Sequence, residues 1–158
     1  MKQLLVSLFC GVLIIGSTGC LKSEKPCTAR TISSEDATIT AYATANGYAM
    51  TKHSSGVYYQ VINAGSSGVF PTGTSKVFVT YTGKLLDGTV FDSQSNSAAT
   101  GWVLNTLIQG WQYGLPLIMK GGTIRLIVPS SLAYGCQANG SIPANSILYF
   151  DITLVDVQ

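Results

Sequence analysis

Few side chains in this chain of 158 residues can carry acid–base or nucleophilic chemistry. The single histidine, His53, excludes most histidine-based metal sites and catalytic triads, and its neighbours Ser54, Ser55 and Gly56 give it the setting of a solvated loop residue. Cys27 and Cys136 stand outside any CxxC, so zinc binding and dithiol redox chemistry have little support. A formal net charge of +2 without a basic cluster argues against nucleic acid as a partner, because phosphate binding needs several Lys or Arg on one surface. What remains is a set of aromatic rings with a few hydroxyls and carboxylates, centred on one tryptophan, Trp111.

Residues 105–115, NTLIQGWQYGL, place Leu107, Ile108, Trp111 and Leu115 on one face of a helix. Asn105 supplies a capping oxygen ahead of the first apolar residue, and Gly114 with Pro116 marks the end, since Pro116 lacks the N–H a continuing helix needs. A helix of about three turns is too short to be stable alone, so it must lie against something. Its surroundings read as strand. Residues 57–62 form a first strand, and residues 77–86 alternate well enough for another. Asp87-Gly88 is a hairpin turn, because Gly accepts positive φ, and residues 89–93 return antiparallel. Residues 101–104 add a brief strand. Residues 123–128, with Ile124, Leu126 and Val128 facing one way, and residues 147–157 supply the rest. With 46% apolar residues the chain can build a core. The expectation is an α+β domain: a curved antiparallel sheet of about five strands wrapped around one short helix, with Trp111 at the contact.

Ahead of the domain, Lys2 and an apolar run of about 13 residues, well short of the roughly 20 that a membrane span needs, read as a signal peptide over residues 1–19. Ser17-Thr18-Gly19-Cys20 resembles a bacterial lipoprotein processing site, with Cys20 as the lipidated residue; ordinary cleavage nearby, leaving a soluble exported protein, is the alternative. Either outcome puts the domain outside the cytoplasm, in the cell envelope, on the periplasmic side or at the outer membrane. Residues 20–55 read as a lipid-attached tether followed by a short helix. Ser33 or Ser34 caps that helix, Glu35 and Asp36 sit in its first turn where the dipole favours negative charge, and Asn46-Gly47 supplies the stop. Ile39, Tyr42 and Ala43 recur at helical spacing, and composition leaves open whether they pack on the domain or the helix is a spacer. Cys10 leaves with the signal and Cys20 carries the lipid, so Cys27 and Cys136 remain as a pair able to form a disulfide in an exported chain, or to stay as two free thiols.

Within residues 56–158 the motifs carry a resemblance. Val79-Thr80-Tyr81-Thr82-Gly83, Leu86-Asp87-Gly88 and Phe91-Asp92-Ser93 resemble the opening signature of the FKBP-type peptidyl-prolyl cis-trans isomerases. Ile108-Gln109-Gly110-Trp111 is similar to the family's helix, Pro129-Ser130-Ser131-Leu132-Ala133-Tyr134-Gly135 to its flap loop, and Ile142-Pro143 with Leu148-Tyr149-Phe150-Asp151 to the rest of the pattern.

The resemblance implies an enzyme that accelerates rotation about X-Pro bonds in envelope protein clients, with no cofactor and no metal. It implies Tyr81, Phe91, Leu107, Ile108, Ile142 and Phe150 as the substrate-binding lining of a dry aromatic pocket with Trp111 as its floor. The Ile108 N–H and the Tyr134 hydroxyl would hold substrate carbonyls, and Asp92 at the rim would steer or stabilise the twisted amide. Trp111, Tyr134 and Asp92 are thus the catalytic candidates. Prolyl-containing polypeptides are the implied partners, macrolides the implied inhibitors, and a monomer held to the membrane by its lipid the implied state. The chain departs from the family pattern between Ser93 and Trp102: Thr100 and Gly101 stand where many members have an aromatic wall, and Trp102 falls two places later. The flap loop carries Cys136, Gln137 and Asn139 in place of a histidine that some members have. These departures bear on substrate preference and macrolide affinity more than on activity. A non-catalytic chaperone or peptide-binding module using the same pocket is the competing reading. A ligand-carrier lipoprotein would need a closed barrel of about eight strands.

Overall fold

The computed structural model describes residues 26–158; the signal segment 1–19 and the lipidation candidate Cys20 lie outside the described residues. In chain order the elements are α1 (Ile32–Ala45), β1 (Thr51–Lys52), β2 (Tyr58–Asn63), β3 (Lys76–Leu85), β4 (Val90–Gln94), β5 (Trp102–Val103), α2 (Gln109–Gly114), β6 (Thr123–Val128) and β7 (Leu148–Val157). The strands form one antiparallel sheet in the order β1-β2-β6-β7-β3-β4, with β5 pairing the start of β3. Seven strands stand where about five were expected. The surplus is β1 and β5, each of two residues, and β5 falls where a brief strand was expected. Among the described residues the path is open rather than closed, which removes the ligand-carrier barrel.

Strand alternation sorts the core onto two faces. Leu126, Val128, Leu148, Phe150, Ile152 and Leu154 point to the side covered by α2 and share a cluster with Trp111 and Leu115. Ile127 and Tyr149, one position out of step, point to the other side and pack against Ile39 and Ala43 of α1. The N-terminal helix therefore packs on the domain. Its cap is Thr31, in extended backbone, whose side chain accepts from the Ser34 N–H at 3.3 Å; neither Ser33 nor Ser34 takes that place. Gly47, at φ +67°, turns the chain out of the helix.

The central helix is shorter than the sequence suggests. Residues 104–106 form a single 3₁₀ turn, Ile108 rather than Asn105 occupies the cap, and α2 proper runs six residues. Pro116 does not end it abruptly, because Leu115–Leu117 continues as a 3₁₀ turn in which proline sits at the start and needs no N–H. The β3–β4 connection also differs from a two-residue turn. The Gly88 N–H donates to the Leu85 carbonyl at 3.0 Å, and Gly88 follows at φ +92°, in the left-handed region. The β3–β4 register slips between Gly83 and Lys84, and the β3–β7 register slips between Phe78 and Val79. Such bulges raise local twist and help curve the sheet over α2.

Candidate active site

A cavity of about 250 Å³ opens between α2, the β3–β4 pair and the loop after β6, lined by Tyr81, Phe91, Asp92, Trp102, Thr106, Leu107, Ile108, Trp111, Tyr134 and Phe150. Trp111 is its floor. The indole is 4% exposed and meets the rings of Tyr81 and Phe150 edge-on, at 5.1 and 5.4 Å between centroids. Phe91 meets Phe150 at 5.6 Å and 87°. Edge-to-face contacts of this kind set the positive edge of one ring on the negative face of another and fix both. Gly83 makes room for the pair: a Cβ there would lie 2.6 Å from Phe91 Cζ. The indole N–H finds no acceptor among the described residues, which costs roughly 1–3 kcal/mol of stability.

The rim is polar. Asp92 is exposed and, among the described residues, is the one charged side chain lining the cavity; its Oδ2 accepts from the Tyr81 hydroxyl at 2.5 Å. Burial first, and then the hydrogen bond to Asp92, push the Tyr81 hydroxyl far above the ordinary tyrosine range, so it remains a donor. Ile108, with extended backbone at the helix cap, has an N–H that no described residue accepts. The Tyr134 hydroxyl likewise has no partner among the described residues. Besides the buried indole N–H, the cavity thus offers two uncommitted donors, a fixed carboxylate and apolar walls. No group of three or more His, Cys, Asp or Glu among the described residues is arranged to hold a metal.

Of the residues singled out in the sequence, Tyr81, Phe91, Asp92, Leu107, Ile108, Trp111, Tyr134 and Phe150 all line this cavity. Ile142 does not. It is buried at 6% exposure beneath a neighbouring hollow shared with Phe91, Asp92 and Tyr134. Sequence reasoning missed Thr106. His53 is half-buried rather than solvated: its Nδ1 pairs with the Ser55 hydroxyl at 2.9 Å, and its ring stacks on Tyr113 at 6.2 Å. Cys27 and Cys136 form a disulfide with Cα atoms 5.6 Å apart.

The family model described as FKBP-type peptidyl-prolyl cis-trans isomerase matches residues 68–155, more than half of the chain. The chain belongs to this family. The FKBP-type isomerase FkpA of Escherichia coli (strain K12) is 43% identical over 106 residues, which cover 66% of this chain and 39% of that protein. The FKBP-type 22 kDa isomerase of the same organism is 42% identical over 105 residues, covering 65% of this chain and 50% of that one. The chain spans half or less of the length of these curated relatives. Among solved structures, FkpA from Escherichia coli superposes with a TM-score of 0.67 at 37% identity, covering 80% of this chain and 61% of that chain. A peptidyl-prolyl cis-trans isomerase from Pseudomonas syringae pv. tomato gives 0.67 at 28% identity, covering 84% and 98%.

In this FKBP-type domain the departure around Thr100 and Gly101 is repaired by geometry. The Thr100 hydroxyl accepts from the Val79 N–H at 2.9 Å and donates to the Ser97 carbonyl at 2.6 Å, tying the loop to β3. Gly101 turns at φ +89°, over the Phe78 ring, and swings Trp102 back to pair with Val77. Trp102 then stands 6.1 Å from Tyr81 and 6.4 Å from Trp111, so it supplies an aromatic wall after all.

Proposed function

We propose that the protein accelerates cis–trans rotation about X-Pro bonds in polypeptide clients. A peptide C–N bond faces a barrier of about 18–20 kcal/mol because it is partly double. Prolyl bonds still take tens to hundreds of seconds to rotate unaided. Bringing that to milliseconds requires a factor on the order of 10⁴–10⁵, roughly 5–7 kcal/mol. No bond is made or broken, so a shaped and electrostatically arranged cavity suffices.

The observation that carries this reading is a ring-sized apolar cavity floored by Trp111 with Asp92 held by Tyr81 at its mouth. The pyrrolidine ring lies on the indole, away from water. As the amide twists, its oxygen loses conjugation and the nitrogen becomes pyramidal. The apolar walls disfavour the polar planar amide relative to the twisted one. The Ile108 N–H and the Tyr134 hydroxyl hold flanking carbonyls and fix the chain on either side of the rotating bond, in the planar and the twisted state alike. Asp92 sets the field at the rim and does not act as a base. We further infer an exported protein with its lipid on Cys20, working as a monomer on envelope clients and inhibited by macrolides that fill the same cavity.

A protease-coupled assay of a short X-Pro peptide tests the reaction. Wild type should turn over, and Asp92→Ala should lower kcat/KM at least several-fold with the fold intact. Peptide binding without any acceleration would leave the non-catalytic peptide-binding module as the reading.

A further inference from the structure

The loop that carries Tyr134 is gripped by the N-terminal segment at three points. At its root, the buried Glu35 carboxyl of α1 accepts from both the Ser130 N–H, at 2.8 Å, and the Ser130 hydroxyl, at 2.7 Å. In its middle, Cys136 is bonded to Cys27. On its return, the Asn145 side-chain amide donates to the Thr28 carbonyl at 2.9 Å, while the Asn145 N–H donates to the Gly135 carbonyl at 2.6 Å. Tyr134 lies between the first two anchors and lines the cavity.

Glu35 is 1% exposed and Ser130 fully buried, and no cation among the described residues lies on the carboxyl. An apolar side chain would hold a helix on a sheet at lower cost than a buried carboxyl. Both oxygens are instead directed to one residue, and that residue stands at the root of the Tyr134 loop. We propose that this segment is a clamp on the Tyr134 loop, in which Glu35 and the Cys27–Cys136 disulfide act as positioning residues for client binding. The proposal rests on the isomerase reading for what the loop does, but not for whether the loop is held.

The clamp acts on Tyr134 and leaves the cavity floor untouched, so its loss should appear in KM rather than kcat. Two variants, Glu35→Ala and Cys27→Ser/Cys136→Ser, are compared with wild type by X-Pro peptide kinetics and by amide hydrogen exchange. In each, KM should rise about fivefold with kcat changed less than about twofold, the pattern of lost binding rather than lost chemistry. Exchange should quicken across residues 130–146 beyond the uniform loss of protection that lower global stability imposes on β3, β6 and β7. Glu35→Gln, which can still accept from the Ser130 N–H and donate to its hydroxyl, should restore wild-type KM.

Unchanged loop exchange in folded Glu35→Ala and double-serine proteins overturns the clamp. So does exchange that quickens evenly over the whole domain with KM unaltered, which marks a merely structural contact. Should wild type fail to turn over the peptide, the isomerase reading falls, and the clamp is then decided by exchange alone.

Discussion

Tyr81 and Asp92 form the pair on which the rim chemistry turns. With its hydroxyl pushed far above the usual range by burial and by Asp92, Tyr81 stays protonated through the neutral and mildly alkaline range. A pH–rate profile should therefore show no limb from Tyr81 between about pH 7 and pH 10. Tyr81→Phe removes the donor at 2.5 Å and frees the carboxylate to rotate, so kcat/KM should fall by a smaller factor than in Asp92→Ala. Equal losses in both variants would mean that Asp92 acts only through Tyr81. At this scale the sequence was informative where a motif is local. Phe91-Asp92 and Trp111 reach the cavity from short stretches whose types and spacing are visible. The place of Trp102 in the wall was not legible, because it depends on the left-handed Gly101 and on a tie from Thr100 to β3. Glu35 looked like a dipole-favoured charge in a first turn. Its partner, Ser130, is 95 residues away, and no local pattern announces that.

Between α2 and the sheet, close approach matters more than helix length. Gly110 and Gly114 sit one turn apart, against Val128 and Leu126 of β6, two positions apart on one strand face. A Cβ at Gly114 would lie 2.6 Å from Leu126 Cδ1, and one at Gly110 would be closer still to Val128. Replacing a helical glycine with alanine ordinarily gains up to about 1 kcal/mol. Here overpacking of roughly 1–3 kcal/mol should outweigh it, so Gly110→Ala should lower stability in urea titration. A stabilised Gly110→Ala would show that α2 can back away from β6 freely. The apolar spacing around Trp111 was enough to place a helix on the sheet. Its true start was not legible, because Asn105 has the chemistry of a cap but lies in the preceding 3₁₀ turn, and Ile108 occupies the cap with no side-chain bond. The strands were legible to within a residue or two wherever alternation was clean, as in β6 and β7. The two-residue strands carry too little pattern to be read with assurance.

Over the described residues, α1 on one face and α2 on the other make the sheet a middle layer, with the Cys27–Cys136 link tying the segment ahead of α1 to the loop after β6. That link spans 109 residues of sequence, so removing it should cost about 2–5 kcal/mol, read as a lower urea midpoint in the double-serine variant. An unchanged midpoint would mean that the non-covalent anchors alone hold the N-terminal segment. Alkaline stability has a definite sign. Burial is the leading cause that raises the pKa of Tyr42, Tyr58, Tyr81 and Tyr149 in the fold. Above about pH 10 the unfolded chain loses these protons while the folded one keeps them, so stability is full below that pH and declines as pH rises past it. Thermal unfolding measured from pH 8 to pH 11 should show Tm falling only at the upper end. A flat Tm would mean that these rings ionise as freely folded as unfolded.

The most direct check on the central claim needs no coupling protease. Exchange spectroscopy by NMR on a short X-Pro peptide, at equilibrium and with a trace of the wild-type protein, reads cis–trans exchange itself. The cavity over Trp111 predicts exchange quickened into the range of tens per second or faster, from an uncatalysed time of tens to hundreds of seconds, with the cis fraction unchanged. Exchange that stays at the uncatalysed rate while the peptide visibly binds would contradict it.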